Sequence, residues 1–114
     1  MKITKCPFCE SELKNVLYGH PKFYKYLAMM ARVFSLKNQD YADDIDPFKN
    51  FRLSEGLGIP PWKGALIRLG DKFIRINNIA SNGKAAVKNE TILDTLIDLA
   101  NYAIIARILY EERK

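Results

Sequence analysis

Residues 89–110 read NETILDTLIDLANYAIIARILY, and this stretch decides the fold that the sequence predicts. It predicts a helix that is apolar on nearly every side, so we expect neighbouring elements to bury most of its circumference. A buried carboxylate is costly unless it is paired, bound to a metal or open to a polar cleft. Four polar residues nevertheless share one stripe of this helix at helical spacing: Glu90, Asp94, Asp98 and Asn101. The stripe predicts either a ligand or metal face, or an ion-pair seam to another helix.

Three further helices are predicted upstream of this stretch. Pro21 suits a first helical turn, and apolar residues then recur at helical spacing to about Tyr41. Asp46 and Pro47 predict the cap and first turn of a short helix. After Pro60-Pro61 a further helix is predicted from about Trp62 to Ala80.

The predicted fold class is all-α. Contiguous helices with short connections favour a small antiparallel bundle, here of three main helices and a short one. A chain of 114 residues fits one such domain. We expect residues 1–20 to form a short N-terminal tail with a Cys-x-x-Cys turn, and residues 21–114 to form the helical domain.

Charge and hydropathy limit the function classes. The net charge of +5 permits an anionic partner such as a nucleotide, but no basic run predicts a nucleic-acid arm. The best apolar segment is interrupted by Asp94 and Asp98, so no membrane span is predicted. The N-terminus lacks the apolar region of a signal peptide, and we therefore expect a cytoplasmic protein, in the host cytoplasm if a phage encodes it.

Two cysteines, Cys6 and Cys9, form a single Cys-Pro-Phe-Cys. This spacing is typical of half a zinc site or of a redox pair. A structural zinc site needs four ligands, and His20 is a third candidate without an obvious fourth. The alternatives are zinc binding, shared between two subunits, and a purely structural turn.

The two long C-terminal helices are expected to be neighbours, so their polar stripes could meet. The stripe of the upstream helix contains Arg68, Asp71, Lys72, Arg75 and Asn78. One interpretation is a salt-bridge ladder, with Arg75 and Asp94 as a natural pair. The other is a polar cleft in which arginines take phosphate oxygens and carboxylates hold Mg²⁺. Aromatic side chains could stack on a base in that cleft, namely Tyr41, Phe48, Phe51 and Tyr102.

Four motifs carry a resemblance to a known family. The pattern resembles the phage and bacterial nucleotide modification associated domain family over roughly residues 35–110. The resemblance implies a nucleotide-related role rather than a particular reaction. The motifs are Lys37-Asn38-x-Asp40-Tyr41-Ala42, Asp46-Pro47-Phe48-x-Asn50-Phe51-Arg52, Arg68-x-x-Asp71-Lys72-x-x-Arg75-x-Asn77-Asn78, and Glu90-x-x-x-Asp94-Thr95-Leu96-x-Asp98-Leu99-Ala100-Asn101-Tyr102.

That family is in turn similar in outline to the all-α, MazG-like nucleotide pyrophosphohydrolases. Those enzymes hold Mg²⁺ with Glu-x-x-Glu on one helix and Glu-x-x-Asp on the next. Here Asp98 can stand for the last acid, but Thr95 occupies the position three residues earlier, and Asp71 has Arg68 and Ile74 at the matching positions. The incomplete acid set favours binding over hydrolysis.

Three functional hypotheses remain open from the sequence. The first is a phage-type, homo-oligomeric protein that binds or sequesters a nucleotide or a cyclic oligonucleotide signal without strong catalysis. The second is a Mg²⁺-dependent pyrophosphohydrolase with Asp94 and Asp98 as metal ligands. The third is a helical interaction or DNA-associated accessory protein. We expect ligand contacts from Asp40, Tyr41, Phe48, Asn50, Arg52, Arg68, Asp71, Lys72, Arg75, Asn78, Asp94, Asp98, Asn101 and Tyr102.

Overall fold

The computed structural model describes residues 1–6, 9–41, 45–83 and 91–113. In these ranges the chain begins with strands β1 (Lys2–Lys5) and β2 (Glu12–Tyr18). Helix α1 (Pro21–Tyr41), a 3-10 helix (Lys49–Leu57), helix α2 (Pro61–Asn82) and helix α3 (Ile92–Glu111) follow. The fold is mainly helical, as predicted, with a small sheet that the all-α prediction leaves out.

The sheet is an antiparallel hairpin built from the predicted tail. Lys2 pairs with Tyr18 and Ile3 with Leu17, and the ladder is irregular before it reaches Lys5. Of these strand residues, Ile3 is the buried one. The tail is therefore a regular hairpin where it is described, because alternating residues of β2 suit a pleated strand.

Helices α2 and α3 form an antiparallel pair, which confirms that they are neighbours. The Trp62 and Tyr110 rings meet edge to face at 5.1 Å near one end of the pair. Towards the other end, Arg75 Nε donates a hydrogen bond to Thr95 Oγ1 at 3.3 Å. Positions on α2 therefore rise as their partners on α3 fall. The buried core that these two helices share with the 3-10 helix consists of Phe48, Phe51, Ala65, Ile105, Ala106 and Leu109.

Helix α3 begins three residues later than predicted. Thr91 is its N-cap: its hydroxyl accepts a hydrogen bond from the Asp94 amide, while the Asp94 carboxylate accepts one from the Thr91 amide. This reciprocal cap satisfies amides that the first helical turn leaves without partners. The predicted start at Asn89 is therefore wrong, and Glu90 of the predicted polar stripe lies outside the described residues.

Helix α2 has clear signals at both ends. Pro61 stands in its first turn, where a missing amide hydrogen costs nothing. Gly83 ends it with φ of 80°, a left-handed conformation that glycine adopts without steric strain. The helix is two residues longer at its C-terminus than the sequence predicted.

Helix α1 uses only part of its predicted apolar stripe. Phe34 lies against the core, with its ring 6.4 Å from that of Phe48, whereas Phe23 and Leu27 are exposed. No side chain of α1 that the structure describes is fully buried. The helix therefore packs on α3 through its second half.

The predicted short helix is a 3-10 helix that begins at Lys49 rather than at Pro47. Asp46 Oδ1 accepts a hydrogen bond from the Phe48 amide at 3.0 Å, so Asp46 holds the turn before the helix as a cap would. The Pro47 carbonyl accepts a bond from Asn38 Nδ2 at 2.6 Å, which ties this turn to α1. None of the helices in the described ranges combines the length and hydropathy needed to cross a membrane.

Candidate functional site

A cleft of about 570 Å³ opens where α1, the 3-10 helix, α2 and α3 converge. It brings together residues from all four helices, including both predicted polar stripes. Its volume falls within the roughly 300–1,000 Å³ range of small-molecule sites. The lining residues are Phe34, Lys37, Asn38, Asn50, Phe51, Leu53, Arg68, Lys72, Asp98, Asn101, Tyr102 and Ile105.

Asp98 lies at the centre of the charged side of this cleft. Its Oδ1 accepts a hydrogen bond from Lys37 Nζ at 2.6 Å, and its Oδ2 lies 3.5 Å from Lys72 Nζ. The Asp98 side chain is 16% exposed, against 49% for Lys37 and 26% for Lys72. The two lysines compensate the desolvation of the carboxylate and are themselves held at the cleft wall by it.

Arg68 supplies a third cation from α2. Its guanidinium carbon lies 4.6 Å from the centre of the Phe51 ring, a cation–π geometry, and Nη2 lies 3.4 Å from the Asn50 carbonyl. Phe51 is buried, and its other contacts include the edge-to-face ring of Tyr102 at 6.1 Å. The aromatic pair therefore fixes the position of a guanidinium whose head lines the cleft.

Asn101 anchors the cleft wall rather than reaching out as an isolated polar group. Its Nδ2 donates a hydrogen bond to the Met30 carbonyl at 3.1 Å, in the middle of α1. Mid-helix carbonyls are usually occupied by helix amides, so this is an extra bond that ties α1 to α3. The amide oxygen is the remaining hydrogen-bonding atom of the side chain.

Six of the predicted ligand residues therefore meet in the cleft, namely Asn50, Arg68, Lys72, Asp98, Asn101 and Tyr102. The others lie elsewhere. Phe48 is buried in the core between Phe34 and Phe51, where it packs rather than offering a free ring face.

Arg52 points away from this cleft. Its Nε donates a hydrogen bond to Asp46 Oδ2 at 2.6 Å, and its Nη2 lies 3.6 Å from a Glu112 carboxylate oxygen. The bond to Asp46 raises the pKa of Arg52 above its ordinary value. Arg52 instead lines a second, smaller cleft beside Trp62. Its described contacts account for it as a link between the 3-10 helix and the end of α3.

Arg75 and Asp94 do not form the ion pair that the polar stripes suggested. Arg75 bonds to the buried Thr95, whose hydroxyl also donates to the Thr91 carbonyl at 3.0 Å. Asp94 is taken up in the N-terminal cap of α3 and is exposed. The contacts between the stripes are thus Lys72 with Asp98 and Arg75 with Thr95, one helical turn apart.

Asp40, Asp71 and Asn78 are exposed and are not among the residues that line either cleft. Tyr41 ends α1, and its side chain lies outside the described residues. Asp43 and Asp44 of the predicted acidic cluster also lie outside them. Ligand contacts from these positions stay predictions.

Lys37 is the principal cleft residue that the sequence analysis did not assign to the site. A signal was available, because Lys37 follows Phe34 by three residues and so continues the apolar stripe of α1 towards the core. Asn38 and Lys37 also open the first family motif. Leu53 and Ile105 line the cleft without any polar signal in the sequence.

Cys6 and Cys9 flank the turn of the hairpin. The Cys6 amide donates to the Ser11 carbonyl at 2.8 Å, and the Glu10 amide donates to the Cys6 carbonyl at 3.0 Å. Cys9 Sγ lies 2.9 Å from Ser11 Oγ, and the Ser11 side chain lowers the pKa of the Cys9 thiol. Both cysteines are free thiols in the described chain, and zinc binding here stays a prediction.

The donor set in the cleft can be compared with what Mg²⁺ takes, which is a shell of oxygen ligands that includes carboxylates. Within the described ranges, no three residues among His, Cys, Asp and Glu lie close enough together to hold a metal ion. Asp98 is the carboxylate that lines the cleft, and two ammonium groups already face it. The described residues therefore fit an anionic ligand better than a bare cation.

The comparisons with known proteins bear on residues 37–109, which match the model of one family. Searches of curated proteins and of solved structures give no match. The matched span contains every lining residue of the cleft except Phe34, and it leaves out the hairpin and most of α1. It also agrees with the range over which the four sequence motifs resemble that family. The chain belongs to the family described as nucleotide modification associated domain 1.

Proposed function

We propose that the protein binds a nucleotide in this cleft, through its phosphate groups, without strong catalysis. The observation that carries the proposal is the cluster of Lys37, Arg68 and Lys72 around Asp98 in a partly enclosed cleft. Three cations and one anion give these lining residues a net charge of +2, which favours an anion. Membership of the nucleotide modification associated domain 1 family supports a nucleotide as that anion.

Each cation has a distinct part in the proposal. Arg68 presents a planar fork that can take two phosphate oxygens, and its stack on Phe51 keeps it ordered before the ligand arrives. Lys37 and Lys72 act as point charges on either side of Asp98. Ordered donors lose little conformational entropy on binding, which favours affinity.

Asp98 has two roles in this account. Without ligand it holds the two ammonium groups in place against their mutual repulsion. With ligand its carboxylate can accept a hydrogen bond from a sugar hydroxyl while the lysines turn towards phosphate. Tyr102 and Leu53 offer apolar surface for the base or sugar beside the charged cluster.

Binding rather than hydrolysis follows from the state of the acids. A metal-bound water needs carboxylates that are available to the metal, whereas Asp98 faces two lysines and Asp94 belongs to the helix cap. Mg²⁺ could still enter with the ligand, since it commonly binds through substrate phosphates and one acid. The MazG-like pyrophosphohydrolase stays the alternative, with Asp94 and Asp98 as its metal ligands.

The finer form of the proposal is a phage-type protein that sequesters a nucleotide or cyclic oligonucleotide signal, as a homo-oligomer. A half-open cleft with cations on one wall suits a phosphodiester as well as a terminal phosphate, because both expose anionic oxygens. Capture without turnover would make the amount of protein, rather than a rate, the limit on its effect.

The test is retention from a panel of mono-, tri- and cyclic oligonucleotides with Mg²⁺. The protein is separated from free ligand and denatured, and the released compound is identified by chromatography. We expect one compound to be recovered intact, at about one per chain. Release of a monophosphate and pyrophosphate would support the hydrolase instead, and retention of no compound would contradict the proposal.

Two variants with matched controls assign the binding to this cleft. Lys72→Met and Arg68→Gln should each weaken retention roughly 10- to 100-fold, since a hydrogen bond to a charged group contributes about 1.5–3 kcal/mol. Lys25→Met and Arg32→Gln change the same residue types on the exposed surface of α1 and should leave retention unchanged. Equal losses in the controls would mean that non-specific charge, and not the cleft, holds the ligand.

A further inference from the structure

Helix α3 is apolar around its whole circumference, yet the protomer covers only one side of it. Its buried residues are Thr95, Ile105, Ala106 and Leu109, all of which lie towards α2 and the 3-10 helix. On the opposite side Leu93 is 71% exposed, and Ile104 and Leu96 are about half exposed. A helix that is apolar on every side normally lies inside a core, so α3 has the composition of a helix covered on both sides.

Helix α2 shows the same asymmetry. Ala65 is fully buried against α3, but the neighbouring Leu66, Ile67, Phe73 and Ile74 each expose 44–59% of their surface. Gly70 lies in the middle of these four on the helix surface, and a Cβ added there would meet no atom within 4 Å. A glycine inside a helix costs stability relative to alanine, and an open position such as this one permits another backbone to approach closely.

The exposed sides of α2 and α3 form one continuous surface. At about 100° per residue, Leu66 and Phe73 lie about 80–100° around α2 from the buried Ala65, and Arg68 lies about 60° the other way. On α3, Leu96 lies about 130° in the same rotational sense from the α2-facing direction, and Asn101 about 90° in the opposite sense.

Two antiparallel helices turn in opposite senses when viewed from one end. Equal rotational senses on α2 and α3 therefore lead to the same side of the pair. Arg68 and Asn101 rotate towards the cleft, where the 3-10 helix and α1 contact them. The exposed apolar side chains rotate to the other side. We call this surface the bare face; it consists of Leu66, Ile67, Gly70, Phe73, Ile74, Leu93, Leu96 and Ile104.

The bare face has the area of a stable interface. Its seven large side chains expose 44–71% of their surface, which at on the order of 200 Å² for each large side chain amounts to roughly 750 Å². A standard interface buries about 800 Å² per partner. Charged groups lie at its margin: Lys63 next to Trp62, and Arg107, which pairs with Glu111 of its own helix.

We propose that the bare face packs against the bare face of a second copy of this chain. A surface with an apolar centre is complementary to itself, because a two-fold contact brings no like charges together there. The protomer also needs the cover. Among the described residues no large side chain is fully buried, and the Cα radius of gyration is 16.8 Å, against about 13 Å for a compact domain of 100 residues.

A second copy is the occupant that is always present when the chain is made, which suits a cover on which the fold depends. The proposal does not rest on nucleotide binding, and it has a consequence for it. The cleft lies on the opposite side of the α2–α3 pair, so each protomer keeps its own cleft facing solvent. A ligand would therefore bind within one protomer rather than between the two.

The experiment compares the solution mass of the wild type and two glutamate variants by sedimentation velocity. We expect the wild type to have at least twice the 13.1 kDa mass of one chain. Ile74→Glu puts a carboxylate at the centre of the bare face and should weaken association at least 100-fold, leaving a helical monomer by circular dichroism. Leu57→Glu is the control, since Leu57 is an equally apolar and more exposed residue outside the bare face; it should stay associated.

A folded wild-type monomer would overturn the proposal, and so would a variant Ile74→Glu that stays associated or a control that dissociates. If Ile74→Glu fails to fold, Leu93→Gln replaces it, because Leu93 is mostly exposed in the protomer and a neutral polar side chain leaves the core intact. Leu93→Gln should lower the association constant about 10-fold or more, and an unchanged constant would contradict the proposal.

Discussion

The two sides of the α2–α3 pair differ sharply in chemistry. On one side Lys37, Arg68, Lys72 and Asp98 gather beneath α1 and the 3-10 helix. On the other side the bare face presents leucine, isoleucine and phenylalanine to solvent. The polar groups that interrupt two apolar helices are thus concentrated where a small anionic ligand fits. The apolar residues that the protomer does not use are concentrated where a protein surface fits. Each side lacks what the other has, and this separation is the basis for assigning them different partners.

The largest effect should distinguish the two sides through a matched pair of phenylalanines. Phe51→Ala removes a buried ring that packs on Phe48 and Tyr102 and carries Arg68, so it should lower the free energy of unfolding by about 3–5 kcal/mol. Phe73→Ala removes a half-exposed ring of the bare face. Its cost should grow with protein concentration, because the lost contacts belong to the dimer. Denaturant unfolding at several protein concentrations measures both. A concentration-independent cost for Phe73→Ala would break the comparison.

Two glycines of α2 provide a second matched pair. A Cβ at Gly64 would lie 2.9 Å from Ser54 Oγ and 3.1 Å from Ser54 Cβ. Ser54 is held by bonds to the Phe51 and Ile59 carbonyls, so it cannot move away cheaply. Overpacking of this kind costs about 1–3 kcal/mol, and we expect Gly64→Ala to lose about 1 kcal/mol after the gain in helix propensity.

Gly70→Ala should do the opposite once the second copy is removed. Made in the Ile74→Glu background, it adds a methyl group to open space and should stabilise the monomer by about 0.5–1 kcal/mol through helix propensity. Thermal unfolding of the two monomeric proteins gives the difference. A loss in place of a gain would mean that α2 is already covered at Gly70 within the protomer.

Asp98 tests whether the charged side is built for anions or for metal. Asp98→Asn removes a negative charge that faces two lysines and should cost about 1 kcal/mol, because both lysines are partly exposed. Binding of inorganic pyrophosphate, measured by calorimetry without Mg²⁺, should become tighter, since only the repulsive charge is lost. Weaker binding that depends on Mg²⁺ in the wild type would instead indicate that Asp98 is a metal ligand.

The smallest effect concerns Asp94, which the sequence placed in the ligand stripe. Asp94→Ala should cost about 0.5–1 kcal/mol, because it removes one half of the reciprocal cap of α3. Nucleotide retention should not change, since Asp94 does not line the cleft. A large loss of retention in a stably folded Asp94→Ala protein would return Asp94 to the site.

The sequence predicted most of the helices because their signals are local. Pro21 and Pro61 open α1 and α2, and the apolar repeats continue to the observed helix ends within a few residues. The antiparallel contact of α2 with α3 was also predicted and is confirmed. The start of α3 was placed too early because the capping pair Thr91 and Asp94 was interpreted as part of the helix body.

The sequence could not predict how the polar stripes divide between structure and site. Arg52, Arg75 and Asp94 belong to residue types that bind ligands, but their described contacts are with Asp46, Thr95 and Thr91. These partners depend on the packing of separate elements. Apolar periodicity has a similar limit. Leu66 and Phe73 were assigned to the stripe that faces the core, because the pattern alone cannot distinguish a core from an interface with another chain.

One measurement tests the central claim most directly, namely that the two sides of the α2–α3 pair serve different partners. The nucleotide recovered from the retention experiment is sedimented with the wild type and with Ile74→Glu, and bound nucleotide and protein mass are recorded together. We predict about one nucleotide per chain in both proteins, with the variant at half the wild-type mass or less. Loss of the nucleotide together with the second copy, in a variant that keeps its helical spectrum, would contradict the account.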